Sequence, residues 1–174
     1  MSLNDLQRAC TGPVLAVGRP LRGWREWSVS PGGLRGARGR LWKPGVNTAE
    51  CHGRYAVMFR VLGEMLGSAG VAAPGHTVEP WCTCGLYSWR HPDPVGHRSG
   101  RVAGVVELWG RVLIGEHGYR AQYAKVVAIS GPRRAVADSV RSAGREAAER
   151  YGVPYLDTLD HAIEAIEQLD SEGR

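Results

Sequence analysis

Two cysteines separated by a single residue form the part of this sequence that most clearly suggests chemistry. Cys82 and Cys84 lie in the stretch HTVEPWCTCGLYSW, which begins at His76. On an extended strand, residues i and i+2 point to the same side, so the pair can direct two sulfur atoms to one point. Gly85 follows immediately, and a glycine allows the backbone to turn sharply around whatever the sulfur atoms hold.

A metal ion is the first interpretation of this cysteine pair. A structural zinc ion takes four sulfur or imidazole ligands, so two more are needed elsewhere in the chain. The predicted ligands are Cys51, His76, Cys82 and Cys84. His52 and His91 are substitutes for the histidine ligand. An iron–sulfur cluster is the alternative cofactor, although neither of the usual cluster spacings is present.

The same thiols allow three other interpretations. A reduced cysteine behaves as a small apolar residue and is often simply buried. A catalytic thiolate at Cys82 would need a neighbouring base, which His76 or His91 could provide. A Cys82–Cys84 disulfide would be strained and therefore redox-active. We expect metal ligation in preference to thiol chemistry.

Basic residues are concentrated in the first quarter of the chain. Residues 1–45 hold seven arginines and one lysine against two acids, whereas the segment from Asp138 onwards holds nine acids against four arginines. Tryptophans are interleaved with these cations, as on surfaces that bind nucleic acid through stacking and phosphate contacts. The candidate binding residues are Arg22, Arg25, Arg40 and Lys43. A sheet with one solvated face that binds nothing would have the same composition. The partners considered for the module are a nucleic acid or a protein.

Period-two alternation of apolar residues predicts the strands that must position these groups. RGWREWSVS places Trp24 on one face and Trp27 on the other. Two longer strands, separated by the turn GEHG at 115–118, predict a hairpin over 101–129. The preceding residues 1–20 contain two prolines and no clear period, so we expect an irregular lead-in there and a single domain over 21–174.

Apolar spacings of three and four predict three helices. One lies mid-chain over 54–66, and two lie near the C-terminus over about 134–151 and 158–169. Gly152 and Pro154 separate the last two, because proline cannot continue a helix. The predicted fold class is therefore α+β, with a mostly antiparallel sheet and the loops at 46–52 and 76–91 pinned by the metal.

Several functional classes are disfavoured by the sequence. No apolar run approaches the roughly 20 residues that cross a bilayer, and no signal peptide is evident, so we expect a cytoplasmic protein without a membrane partner. The sequence lacks the Walker, dinucleotide-binding, H-E-x-x-H and G-x-S-x-G motifs, which lowers the expectation of an enzyme.

Four stretches of the chain, together with YGVP near the C-terminus, match successive parts of a longer sequence pattern. The stretches are WKPGVNTAEC, GHTVEPWC, CTCGLY and GVVELWGRVLIGEHGYRAQYA. Over about residues 20–155 the chain thereby resembles a group of small actinobacterial and actinophage proteins with a C…C-x-C-G-[IL]-Y…L-W-G-x-V…G-Y-R-A-x-Y-A pattern. The resemblance implies that Cys51, Cys82 and Cys84 form one set, and it implies no particular activity. The longer His76–Pro80 spacing and the 54–66 helix depart from that pattern.

The sequence as a whole predicts a zinc-stabilised binding or regulatory module that contacts a nucleic acid or a protein partner. The alternative is an enzyme that uses the metal or the Cys82 thiolate catalytically. A structural zinc site has four protein ligands, whereas a catalytic site has three and an open position, which is the difference that separates the two hypotheses.

Overall fold

A computed structural model describes residues 12–36, 39–50, 78, 84–131, 133 and 138–172 of the chain. Within these ranges the strands are β1 (Val14–Ser30), β2 (Gly33–Arg35), β3 (Val46–Thr48), β4 (Leu86–Trp89), β5 (Arg101–Ile114), β6 (Gly118–Ser130) and β7 (Tyr155–Leu156). The helices are α1 (Asp138–Tyr151) and α2 (Leu159–Glu172). The fold is α+β, as predicted from the alternation of apolar residues.

All the strand pairings are antiparallel except that of β6 with β7. The long strand β5 lies between β1 and β6, and the short strand β4 also pairs with both of them. The pairings therefore close into a ring of β1, β5, β6 and β4. Strand β2 extends the sheet beside β1, and β3 extends it beside β6.

The predicted hairpin is the longest local unit of the sheet. Strands β5 and β6 pair from Ala103 opposite Ser130 to Ile114 opposite Tyr119. At the turn, the amide of Gly115 donates to the carbonyl oxygen of Gly118, with N and O 2.9 Å apart. Register shifts interrupt the ladder at two points, and such bulges bend a strand and increase its twist. Strand β4 lies between the first residues of β6 and the middle of β1, where Trp24 pairs with Trp89.

Side chains on the two faces of the sheet form two apolar clusters, each completed by one helix. The Trp27 cluster includes Ala147, Ala148 and Tyr151 of α1, and the Trp24 cluster includes Leu159 and Ala162 of α2. The Trp27 cluster also contains Leu34, Trp42, Ala49, Leu86, Val102, Val106, Leu108, Val112, Ala121, Ala124, Val126 and Ile129. The Trp24 cluster also contains Val78, Tyr87, Trp89, Val95, Ala103, Val105, Leu113 and Ala128. The opposite orientation of the two tryptophans matches the predicted alternation.

The first strand begins earlier than the sequence indicated. Residues 14–20 were expected in an irregular lead-in, but β1 starts at Val14, which pairs with Leu113. The two prolines interrupt few hydrogen bonds of the ladder. Pro13 precedes the strand, and Pro20 lies in the register shift between Val17 and Leu21. A proline has no N–H to donate, and a bulge needs none at that position. Residues 1–11 lie outside the described part of the chain.

Two other elements differ from the sequence expectation in extent. The glycine-rich stretch after β1 contains β2, whose Leu34 is fully buried. Both C-terminal helices are confirmed, with α1 beginning at Asp138 among the described residues. The predicted helix over 54–66 lies outside the described residues. Neither described helix is long and apolar enough to cross a membrane.

Candidate functional site

Among the predicted metal ligands, the structure describes Cys84 and none of the other three. Cys51, His76 and Cys82 lie outside the described residues, as does the substitute ligand His52. Cys84 is buried and reduced, while the remaining substitute, His91, is exposed in the loop after β4. The described ranges contain no group of three or more His, Cys, Asp or Glu side chains that could hold a metal ion. The zinc site stays a prediction.

The sharp turn expected after the cysteine pair is present at Gly85. This residue has a φ of +139°, in the region that favours glycine. A Cβ atom there would lie 2.3 Å from Cγ of Arg120, whose side chain is buried across the ladder from β4. Gly85 is therefore required both by its backbone conformation and by the close approach of Arg120. These two features explain the glycine without a bound metal.

Arg25, one of the four predicted nucleic-acid contacts, is half-buried, and its guanidinium packs against the protein. Its guanidinium lies 4.6 Å from the ring centroid of Trp42, and Nη1 donates to the carbonyl oxygen of Tyr87. Burial lowers the pKa of Arg25 to about 10, with further contributions from the positive charges of Arg101 and Arg40. The side chain thus joins β1, β4 and the loop before β3 instead of extending into solvent.

Arg40 and Lys43 lie in that loop and have different environments. Arg40 Nη2 donates to the carbonyl oxygen of Thr48 at 2.6 Å and forms an ion pair with Glu50 at 2.8 Å. Lys43 is exposed, and its backbone is fixed by Asn47, whose Oδ1 accepts from the Lys43 amide at 2.8 Å. Lys43 is therefore the more exposed of the two and lies near the edge of the sheet, whereas Arg40 is half-buried and makes contacts within the protein.

Arg22, the fourth predicted contact, belongs to a continuous face of the sheet. Residues directly opposite one another in a ladder share a face, as do residues two apart on one strand. The pairing puts Arg22 opposite Glu107, Glu107 opposite Lys125 and Lys125 opposite Val46. A second row places Trp109 opposite Tyr123, and Tyr123 opposite Thr48. We call these seven residues the stacking face.

An aromatic pair lies in the middle of the stacking face. The rings of Trp109 and Tyr123 stack with centroids 6.0 Å apart and planes inclined by 29°. Both side chains are partly exposed. Gly110 makes room for the pair, because a Cβ atom there would lie 2.7 Å from Cδ2 of Tyr123. The stack therefore combines apolar ring area with access to solvent.

The charges around this aromatic pair are mainly positive. Lys125 is exposed, Arg22 is partly exposed, and Lys43 lies three residues before Val46, whose side chain is 56% exposed. Glu107 is the one acid of the stacking face and lies between Arg22 and Lys125. An anionic ligand on this face would meet these cations in the row beside the aromatic pair.

Trp109 and Tyr123 were not among the residues singled out from sequence as binding residues. The available signal was the hairpin itself, because its register brings two alternating strands together with an aromatic residue on each. The register shifts within the ladder prevent that pairing from being counted reliably from the turn.

The fold and this site together define a class: a small α+β domain whose closed, mostly antiparallel sheet presents a basic face with a central aromatic stack. No protein-family model, curated protein or solved structure matches the chain.

Proposed function

We propose that this protein is a binding module for single-stranded nucleic acid, with the stacking face as its contact surface. The observation that carries the proposal is the solvent-accessible stack of Trp109 on Tyr123 beside a row that contains the cationic side chains of Arg22 and Lys125. Bases have a π-face that stacks on aromatic side chains whatever their sequence, and Lys and Arg bind the phosphates alongside.

A single strand fits this surface better than a duplex. The aromatic pair can stack only on bases whose faces are accessible, and these are exposed in single strands, loops and ends. The described face carries no protruding helix to enter a major groove, since α1 and α2 complete the two apolar clusters. The module would therefore bind with little sequence preference and with marked salt dependence.

Two of the four cations predicted from sequence contribute to this proposal. Arg22 lies on the stacking face, and Lys43 lies beside its edge at β3. Arg25 and Arg40 make contacts within the protein and belong to a different surface. Lys125 takes their place, since it pairs with Val46 on the edge strand and is exposed.

Zinc remains part of the proposal as a stabilising ion. Cys51, His76, Cys82 and Cys84 would hold it, and of these four the structure describes Cys84, which is buried. The ion would order loops whose own burial is small, and a chelator would loosen them. Metal content per chain, measured on protein purified without a metal-affinity step, tests this component separately. One equivalent of zinc is expected, and a metal-free chain with four titrating thiols would remove zinc from the proposal.

The enzymatic alternative rests on Cys82 and on an open metal position. Cys82 lies outside the described residues, and the described ones offer no observation that favours catalysis over binding. We therefore propose a binding function alone.

Fluorescence anisotropy with a labelled oligothymidylate tests the binding proposal. Trp109→Leu keeps an apolar side chain on the sheet but removes the stacking surface, so affinity should fall by about tenfold, the equivalent of about 1.4 kcal/mol for one base. A matched duplex should bind more weakly than the single strand. Arg141→Gln, a charge change on the exposed face of α1, serves as the control and should leave affinity unchanged. Equal affinities for Trp109→Leu and the unmodified protein would contradict the proposal.

A further inference from the structure

We propose that the hydroxyl group of Tyr123 donates a hydrogen bond to an oxygen atom of the bound strand, and that Gln122 is the positioning residue that directs it. The inference rests on the proposed function, because it adds one polar contact to the stacking face. It starts from a bulge in β5 that lies beside the aromatic pair.

The bulge changes which side chains meet at the aromatic pair. Between the pair of Trp109 with Tyr123 and the next pair along the ladder, Gly110 and Arg111 of β5 face Gln122 of β6 alone. Two residues opposite one define a β-bulge, and Gly110 has a φ of +76°, as is typical of a glycine in its first position. Adjacent residues of a regular strand point to opposite faces, but here the Gln122 side chain reaches the Tyr123 hydroxyl.

The backbone amide of Arg111 fixes the orientation of the Gln122 carboxamide. This amide donates to Oε1 of Gln122, with N and O 3.2 Å apart. A backbone N–H can only donate, so it selects the oxygen of the carboxamide and turns the NH₂ group the other way. That group donates to the hydroxyl oxygen of Tyr123, with Nε2 and the oxygen 3.2 Å apart. Both side chains lie over Gly110, where a Cβ atom would lie 2.8 Å from Gln122 Oε1.

The Tyr123 hydroxyl therefore accepts one hydrogen bond and keeps its own proton for another partner. The NH₂ group of Gln122 cannot accept that proton, because an amide nitrogen only donates. Among the residues that the structure describes, none accepts a hydrogen bond from this hydroxyl. The Tyr123 side chain is partly exposed, and a hydroxyl that accepts one hydrogen bond becomes a better donor in the next. The bulge thus places a directed donor at the edge of the aromatic pair.

An oxygen atom of a single strand is the acceptor that matches this donor. The ring faces of Trp109 and Tyr123 take the bases, and Arg22 and Lys125 lie in the neighbouring row. A strand that passes over both rows presents two kinds of oxygen to the ring edge, the keto oxygens of its bases and the oxygens of its phosphates. A tyrosine hydroxyl can donate to either of them.

Fluorescence anisotropy with the labelled oligothymidylate tests the donor. Tyr123→Phe keeps the ring that stacks on Trp109 and removes only the hydroxyl. Affinity should therefore fall about two- to tenfold, the range expected for one hydrogen bond. Tyr155→Phe is the matched control, because it removes the same group from a ring that lies beside Arg145 of α1, away from the stacking face. This control should leave affinity unchanged.

A double-mutant cycle tests the role of Gln122. Gln122→Met keeps an unbranched side chain and removes both hydrogen bonds of the carboxamide, so the Tyr123 hydroxyl loses its fixed direction and affinity should fall. In the Tyr123→Phe background the same substitution should have no further effect, because Gln122 acts through the hydroxyl. A residue that only supported the strand would lower affinity equally in both backgrounds, and additive losses would therefore overturn the inference.

The outcome for Tyr123→Phe is separable from the fate of the proposed function. If Trp109→Leu weakens binding and Tyr123→Phe does not, the stacking face binds a strand without the hydroxyl, and this inference alone is wrong. If the unmodified protein binds no strand, both proposals are wrong.

Oligodeoxyadenylate distinguishes the two sources of the acceptor oxygen, because adenine has no keto oxygen and thymine does. A loss of affinity for oligothymidylate alone in Tyr123→Phe would assign the hydrogen bond to a keto oxygen of the base. An equal loss for the two strands would assign it to the phosphate that they share.

Discussion

The hydroxyl group of Tyr151 donates a hydrogen bond to the carbonyl oxygen of Trp42, with the two oxygen atoms 2.5 Å apart. The same hydroxyl accepts a hydrogen bond from the amide of Leu34 at 3.2 Å. One side chain at the end of α1 therefore satisfies two buried backbone groups, one in β2 and one in the loop that carries the tryptophan on which Arg25 stacks. Helix α1, strand β2 at the edge of the sheet and the loop at Trp42 are joined through this phenol.

Removal of this hydroxyl should destabilise the protein. Tyr151→Phe leaves a buried amide and a buried carbonyl without their partner, which costs about 1–3 kcal/mol of the free energy of unfolding. Tyr155→Phe is the matched control, because the Tyr155 hydroxyl is buried and has no hydrogen-bond partner in the structure. That control should be neutral or slightly stabilising. Urea unfolding of both variants checks the difference, and equal losses in the two would contradict it.

Alkaline pH should destabilise the protein through its buried phenols. Burial is the main cause that raises the pKa of Tyr151 and of Tyr155 above the ordinary value of 10.0. The unfolded chain therefore releases these protons first, so the stabilisation is complete below pH 10 and is lost as the pH rises through the folded pKa values.

Comparison of the unmodified protein with Tyr155→Phe isolates the contribution of the Tyr155 phenol to the pH dependence of stability. The lowered pKa of Arg25 acts in the opposite sense at the same pH, but it is common to both proteins and cancels. Between about pH 9 and about pH 10.5, the unmodified protein should lose more stability than the variant, by less than about 1.4 kcal/mol per pH unit. Parallel losses in the two proteins would show that Tyr155 does not titrate differently on unfolding.

Glu26 should control the order of the loop after β4. Its Oε1 atom accepts the amide of Gly96 at 2.6 Å, and its side chain is only 10% exposed. Glu26→Ala leaves that amide without an acceptor, so we expect a loss of about 1–3 kcal/mol and faster hydrogen exchange at Gly96. Glu26→Gln keeps an oxygen in place and should lose less. Identical exchange rates in the two variants would contradict this role.

Gly85 should tolerate no side chain. Gly85→Ala introduces both an unfavourable φ and a contact of 2.3 Å with the Arg120 side chain. Gly45 also has a positive φ, of +76°, but open space lies where its Cβ would be. Gly45→Ala should therefore cost only the backbone term of about 1–2 kcal/mol, and Gly85→Ala should cost more. Thermal unfolding compares them, and an equal effect would show that Arg120 moves aside without cost.

The acid on the stacking face should oppose nucleic-acid binding. Glu107→Gln removes a negative charge between Arg22 and Lys125, so the affinity for oligothymidylate should rise. Lys125→Gln should lower the affinity and reduce the slope of log K against log salt by about 0.7, as expected for one phosphate contact on a single strand. Titrations at several salt concentrations measure both effects. A Lys125→Gln slope equal to that of the unmodified protein would remove Lys125 from the interface.

The sequence by itself determined the local elements of this protein. Period-two alternation located the strand around Trp24 and Trp27, the hairpin and its turn, and a spacing of three and four located the two C-terminal helices. These elements depend on interactions between near neighbours in the chain, which is why their apolar patterns are visible in the residue order. The turn at Gly85 after Cys84 could also be expected from the local sequence. The tight contact of Gly85 with Arg120 could not, because Arg120 is distant in the chain.

Only the tertiary structure decided how those elements meet. Closure of the sheet through β4 and the start of β1 at Val14 depend on pairings between residues far apart in the chain. Arg22 and Arg25 look equivalent in the sequence, yet one lies on the stacking face and the other is covered by the loop that carries Trp42. The stack of Trp109 on Tyr123 depends on a register that bulges have shifted. Burial and register are properties of the whole chain, because each is set by non-local contacts that no local pattern encodes.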